Sequence, residues 1–125
     1  MVELTAADSA DQVEARLHEA LEAHGLQLFA RIDHAAGGRK ADVELEPNVL
    51  LIFGNVHVGT PLMQADPRAG VELPLRMLIW QDSDGTHVGY PDPRELVDRY
   101  ALDGHQATLE RQAAVLRELA ATAAG

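Results

Sequence analysis

The stretch that decides the fold is Leu50–Pro67, LLIFGNVHVGTPLMQADP. Together with Val49 it opens on an apolar run to Phe53. A run without polar alternation reads as a central strand covered on both faces. Gly54 breaks that strand. Thr60-Pro61 then has the chemistry of a helix start: Thr supplies a cap oxygen, and Pro at the first position gives up an amide that has no partner there. The spacing predicts a helix over Pro61–Ala65, stopped by Pro67 because a proline ring inside a helix costs a hydrogen bond and a clash.

Upstream, Ser9-Ala-Asp-Gln12 forms a capping box, and Val13, Leu17, Ala20 and Leu21 make a helical stripe closed by Gly25. Leu26, Leu28, Ala30 and Ile32 alternate with Gln27, Phe29 and Arg31, as in a strand. Asp33 can cap a short helix from His34 to about Ala41, weakened by Gly37-Gly38. Downstream, Leu75–Gln81 is a strand, Asp82-Ser83-Asp84-Gly85 a hairpin turn, and Thr86–Tyr90 its antiparallel partner. Asp92-Pro93-Arg94-Glu95 opens a short helix to about Tyr100. Leu109, Ala113, Leu116, Leu119 and Ala120 mark an amphipathic terminal helix, about residues 105–123. The order predicts one α+β domain over 1–125: a single twisted sheet, mixed or mainly antiparallel, with the helices packed on one face.

Composition narrows the function. A chain of 125 residues can bury a real core as one domain. With no cysteine, disulfides, thiolate metal sites and cysteine nucleophiles are excluded. The N-terminal MVELTAADSADQ has neither the basic region nor the apolar segment of a signal peptide, and no apolar run approaches the roughly 20 residues of a membrane span. A cytoplasmic protein without a membrane partner is the expectation. A net charge of −10 argues against nucleic acid, whose binding rests on Lys and Arg neutralising phosphates.

Nucleotide-binding chemistry has little support. The glycine turn FGNVHVGTP lacks both G-x-x-x-x-G-K-[ST] and G-x-G-x-x-G. A helix start at Thr60 could still hold an anion, though most turns of this kind hold nothing. The six histidines, His18, His24, His34, His57, His87 and His105, show no i,i+2 or i,i+4 pairing, which weakens a zinc site. Asp82 and Asp84 are explained by the hairpin.

His34 differs by its surroundings. It follows a strand, opens a helix, and lies among Arg31, Arg39 and Lys40 in an otherwise acidic chain. Ala35, Ala36, Gly37 and Gly38 give it almost no bulky neighbours. An imidazole beside a smooth surface and cations suits haem: His34 would ligate iron and the cations would pair the propionates. Met63 or His57 could supply a second axial ligand. Against that stand the commoner roles of such residues, a hydrogen-bonding histidine and a core-filling methionine.

The block ARIDHAAGGRKADVELEPNVLLIFGNVHVGTPLMQADPRAGVELPLRMLIWQDSDG resembles the bacterial and archaeal domain-of-unknown-function family 302. The likeness rests on RIDHA, the LLIFGN…GTPLMQ segment, LPL…W and the Tyr-x-Asp-Pro that follows, in that order from about Val13 to Tyr100. It implies a compact α+β domain with a twisted sheet, usually a homodimer, and no established reaction. The matching motif residues are Asp33, His34, Asn55, Gly59, Thr60, Pro61, Met63 and Gln64. Val56 stands where such chains often carry Pro after the Asn, which bears on the shape of the turn at Asn55.

The expectation is a non-enzymatic, homodimeric binding domain, with haem its most concrete ligand. Its candidate site is His34, Arg31, Lys40, Asn55, Thr60 and Met63, with His34 the candidate iron ligand. Two alternatives stand beside it: an enzyme on a small acidic metabolite with His34 as general acid/base, and a purely structural dimer.

Overall fold

Strand and helix alternate from the second residue as far as a two-strand hairpin that spans residues 75–90. A computed structural model describes Met1–Gly125. The strands are β1 (Val2–Ala6), β2 (Gln27–Asp33), β3 (Asn48–Gly54), β4 (Leu75–Asp82) and β5 (Gly85–Tyr90). The α-helices are α1 (Ala10–Ala23), α2 (His34–Lys40), α3 (Val56–Ala65) and α4 (Gln106–Ala124), with 3₁₀ helices at Pro67–Val71 and Pro93–Asp98. One five-stranded sheet runs in the order β1-β5-β4-β3-β2, and every neighbouring pair is antiparallel. The fold is α+β.

Local chemistry sets the element ends. Ser9 Oγ accepts from the Gln12 amide at 3.3 Å while Gln12 Oε1 accepts from the Ser9 amide at 3.2 Å, so two amides that the helix leaves free are both satisfied. Gly25 closes α1 with φ +66°, a conformation that costs a residue with a Cβ. Asp33 Oδ1 accepts from the Ala36 amide at 2.8 Å and starts α2. At the β4–β5 hairpin Asp82 Oδ1 accepts from the Asp84 amide at 2.8 Å, and Gly85 takes φ +124°.

The main core lies between one face of the sheet and the pair α1–α4. Val13, Leu17 and Leu21 of α1 and Leu116, Leu119 and Ala123 of α4 are buried against Leu51, Phe53, Met77, Ile79 and Val88. Each large aliphatic side chain withdrawn from water in this way contributes roughly 1.5–3 kcal/mol. A second, smaller cluster, Leu62, Ala69, Leu96, Leu102 and Leu109, joins α3 and the two 3₁₀ helices to α4.

Four expectations need correction. Val2, Leu4 and Ala6 form an edge strand on β5 that the sequence reading passed over. β3 is central but not covered on both faces: Val49, Leu51 and Phe53 are buried, whereas Leu50 and Ile52 are only half-buried on the opposite face. The alternation of β2 is broken by a bulge at Phe29, so Leu28 pairs with Phe53 on the helix side while Ala30 and Ile32 pair with Ile52 and Leu50 on the open side. Finally, α3 starts before Thr60. Asn55 is its cap, with Oδ1 accepting from the His57 amide at 2.9 Å, and Thr60-Pro61 lies inside the helix. Val56 takes the first helical position, where a proline would also fit; its presence leaves the turn intact.

One buried carboxylate ties the small cluster together. Asp66, 4% exposed, caps the Pro67–Val71 turn and accepts from the Arg68 amide at 3.0 Å, from Arg68 Nη2 at 2.8 Å and from the Ala101 amide at 2.9 Å. The Arg68 guanidinium first, then the Ala101 amide, hold its carboxyl well below the usual carboxylate range. A depressed native pKa means stability that is present above the unfolded value, about 3.9, and is lost as pH falls toward the native one. Asp66→Asn is therefore expected to lower the melting temperature at pH 7, with the gap to the wild type narrowing below about pH 4. Thermal melts of both proteins from pH 7 to pH 2.5 check this, and a gap independent of pH would assign the effect to packing instead.

Candidate functional site

An apolar cavity of about 350 Å³ opens where β3 ends and α3 begins. Phe29 of β2, Val56 and Val58 of α3, Leu73 and Leu75 around the start of β4, and Val115 of α4 make its walls. The bulge of β2 brings Phe29 to this end of the sheet, where its ring approaches Gly54: a Cβ there would lie 3.8 Å from Phe29 Cε2 and 3.6 Å from Pro74 Cβ. Gly59 adds a bare patch of wall, since a Cβ on it would meet only Leu73 Cδ1, at 3.8 Å. The volume falls in the lower part of the roughly 300–1,000 Å³ typical of small-molecule sites.

Polar groups reach the cavity in few places. Asn55 and Thr60 line it from α3, and Arg111 and Gln112 from α4. Asn55 is engaged as the helix cap. Gln112 is 5% exposed, and its Oε1 is buried with no hydrogen-bond partner. Buried polar atoms are satisfied in the large majority of native sites; Gln112 Oε1 and Asn48 Oδ1 are the side-chain exceptions here. Arg111 donates Nη2 to Thr108 Oγ1 at 3.2 Å and has no carboxylate within ion-pair distance.

The structure divides the candidate residues between two ends of the sheet. Asn55, Thr60 and Met63 line the cavity; His34, Arg31 and Lys40 do not. The cause is the pairing of β2 with β3: Asp33 lies opposite Val49, while Gln27 lies opposite Gly54. The turn carrying His34 and the turn carrying Asn55 thus sit a full strand apart, about 20 Å at 3.3 Å per residue. The six candidate residues therefore do not form one site, and His34 and Thr60 do not face one pocket. His34 and Lys40 are exposed on α2. Arg31 is committed to Glu14, donating Nε at 2.7 Å and Nη2 at 3.0 Å, which holds the Glu14 carboxyl below its ordinary value and pins β2 to α1. Arg31 also lines a separate groove of about 230 Å³ with Arg39, Asp33 and Glu14, and His34 is not part of that wall. Met63 is 37% exposed, with Sδ over Gly70, where a Cβ would come within 3.3 Å.

Comparison with known proteins fits this architecture. The sequence profile of the family described as "Domain of unknown function DUF302" matches residues 2–120. The chain belongs to the DUF302 family. Among solved structures, the uncharacterized conserved DUF302 protein from Bacillus stearothermophilus superimposes with a TM-score of 0.87 over 98% of this chain and 96% of that one, at 16% identity. That likeness shows a shared DUF302 fold. Curated relatives include "Fluoride-specific ion channel FluC 1" of Brucella suis and its namesake in Brucella abortus, each 42% identical over 79 residues. The match covers 62% of this chain but 31% and 29% of theirs, so the DUF302 chain spans about a third of the length of the curated relatives it matches. No helix here is long and apolar enough to cross a membrane.

Gln112 and Arg111 escaped the sequence reading, yet a signal was present. Leu109, Gln112, Ala113 and Leu116 are successive members of one buried stripe of α4, and a glutamine inside such a stripe breaks the pattern that makes the rest of it apolar. Gly59, by contrast, is inside a helix without needing a glycine conformation. Gly59→Ala is expected to raise stability by about 0.5–1 kcal/mol, since alanine is the better helix former and its methyl meets Leu73 at ordinary contact distance. Urea unfolding measures it; a loss of stability would mean that the cavity wall is tighter than its geometry.

Proposed function

We propose that this protein is a non-enzymatic, homodimeric binding domain of the cytoplasm that holds a small, largely apolar molecule between α3, α4 and the end of the sheet. The observation that carries the reading is the apolar cavity itself, with Asn55, Thr60, Arg111 and Gln112 as the few polar residues on its wall. Convergent polar groups that are few in number and set in apolar walls are the usual make-up of a ligand site.

Haem was the ligand the sequence suggested. Its proposed ligand His34 is exposed on α2 and lines neither the cavity nor the groove beside Arg31, and Met63 and His57 lie at the opposite end of β2 and β3. The geometry supports a smaller apolar ligand in its place. The acid–base reading has no shared pocket for His34 and Thr60.

The neutral fluorophore N-phenyl-1-naphthylamine tests the cavity. Saturable binding at one site per chain is expected, weakened at least tenfold in Gly59→Phe, whose ring would occupy the space. Fluorescence that rises without saturation, or equally in the variant, would defeat the reading. In parallel, an absorption scan after haem addition should show no Soret band that depends on His34; a band lost in His34→Ala would move the site to α2.

The second copy belongs on the open face of the sheet. Ala30, Ile32, Leu50, Ile52, Leu78 and Trp80 lie there, and Ile32 is 41% exposed. Trp80 lies flat over Gly89, where a Cβ would be 2.9 Å from its ring, and stacks on His87 at 5.1 Å. The strand positions from β2 to β4 carry Arg76 but no acid until Asp82 at the hairpin, which is paired with His87 at 2.8 Å. In a chain of net charge −10 this is the face on which two copies meet with least repulsion. Light scattering after size exclusion is expected to give a dimer whose association strengthens from about 20 to 300 mM salt, as screening shortens the reach of the like charges. Leu50→Glu should elute as a folded monomer; a dimer persisting in that variant would place the interface elsewhere.

A further inference from the structure

The geometry points to a lid: the first turns of α3, Val56–Thr60, close over the cavity when a ligand occupies it and open to release it. This rests on the binding reading above and states how access to that site is controlled. Along α3, Val56, Gly59, Thr60 and Met63 stand at i, i+3, i+4 and i+7, and all four border the cavity. That spacing makes one continuous, uncharged face of a helix, the kind of face that ordinarily packs on a core. Here it fronts open space. Val56 is 57% exposed, and Phe29 on the β2 wall of the same cavity is 41% exposed. Two apolar walls that border one gap without meeting leave surface in water, which closure would remove.

The two sides of Pro61 are held differently. Beyond it, Leu62 is the one buried residue of the helix and joins the cluster of Ala69, Leu96, Leu102 and Leu109. The element that α3 packs on is the 3₁₀ helix Pro67–Val71, which Asp66 caps. Before Pro61 nothing is buried: Val56, His57, Val58 and Thr60 are exposed and Gly59 is half-buried. By contrast, α1 and α4 bury side chains near both ends, Ala10 and Leu21 in one, Leu109 and Ala123 in the other. The amides of Val58 and Gly59 both donate to the Asn55 carbonyl, at 2.9 and 3.2 Å, so the first turn closes on its own cap. Pro61 has no amide to offer the His57 carbonyl, which removes one hydrogen bond between that turn and the anchored half. Gly59 stands at the joint, where no Cβ narrows its backbone angles. A helix half with no buried side chain and a broken hydrogen-bond link opens more easily than the rest of the fold, and the moving parts of binding sites come from such segments.

Hydrogen exchange and the dissociation kinetics of N-phenyl-1-naphthylamine test the lid together. In the ligand-free protein the amides of Gly59 and Thr60 are expected to exchange at least about tenfold faster than those of Met63, Gln64 and Ala65. Saturating fluorophore should slow the first group about tenfold and the second by less than about twofold. Pro61→Ala returns a partner to the His57 carbonyl and holds α3 as one rod, with its cavity face kept open. Fluorophore is expected to leave that variant about fivefold faster than the wild type in stopped-flow experiments, with little change in association. Gly59→Ala stiffens the same joint and should act in the same direction; alanine is the better helix former at both positions, and thermal melts confirm that each variant is folded. Saturable binding with the two halves of α3 exchanging alike, before and after fluorophore is added, would overturn the lid and leave the binding reading standing. So would an unchanged dissociation rate in either folded variant. Absence of saturable binding in the wild type would overturn both readings together.

Discussion

The antiparallel pairing of β2 with β3 is the constraint on which the functional geometry depends. Because Asp33 faces Val49 and Gln27 faces Gly54, the turn that leaves β2 sits at one end of the sheet and the turn that leaves β3 sits at the other. Had the strands been parallel, the His34 and Asn55 turns would have shared an edge, as consecutive turns do in an α/β sheet. Their separation leaves α2 with its cations near the N-terminus of α1, and gives α3 to the end of the sheet that α4 crosses. The cavity is the gap left there, and its membership follows from strand direction before any side chain is considered.

Much of this fold is legible in the sequence because its punctuation is local. The Ser9–Gln12 capping box, the Asp33 cap, the glycine at the end of α1 and the hairpin before Gly85 act within a few residues, and each appears in the structure with the hydrogen bond or backbone angle its chemistry requires. Where the reading failed, competing local signals were present. Asn55 and Thr60 can both cap a helix; Asn55 prevails, and Pro61 falls at the sixth position of α3, past the first turn, where it forgoes one helical hydrogen bond. The bulge at Phe29 leaves no mark that alternation could reveal. The site was less legible than the fold because cavities arise from which elements meet, and strand pairing is non-local. Asn55, Thr60 and Met63 were found through their turn, whereas Arg111 and Gln112 come from a helix some fifty residues further along.

The apolar run at β3 carries a second meaning that periodicity alone misassigned. A strand apolar on both faces is ordinarily sandwiched, but only Val49, Leu51 and Phe53 are covered by the helices of this chain. Leu50 and Ile52, with Leu78 and Trp80 beside them, keep that character on a face with no helix of its own. Residues of this kind are costly in water unless something covers them, and a sheet that displays them in several adjacent strands has the composition of an interface core.

Gln112 shows how stability and binding pull in opposite directions at one position. On the apolar stripe of α4 a leucine would pack without leaving an acceptor unserved, and the empty protein would gain from it. A glutamine there lowers the stability of the empty state and so increases the difference that a hydrogen-bonding ligand can make.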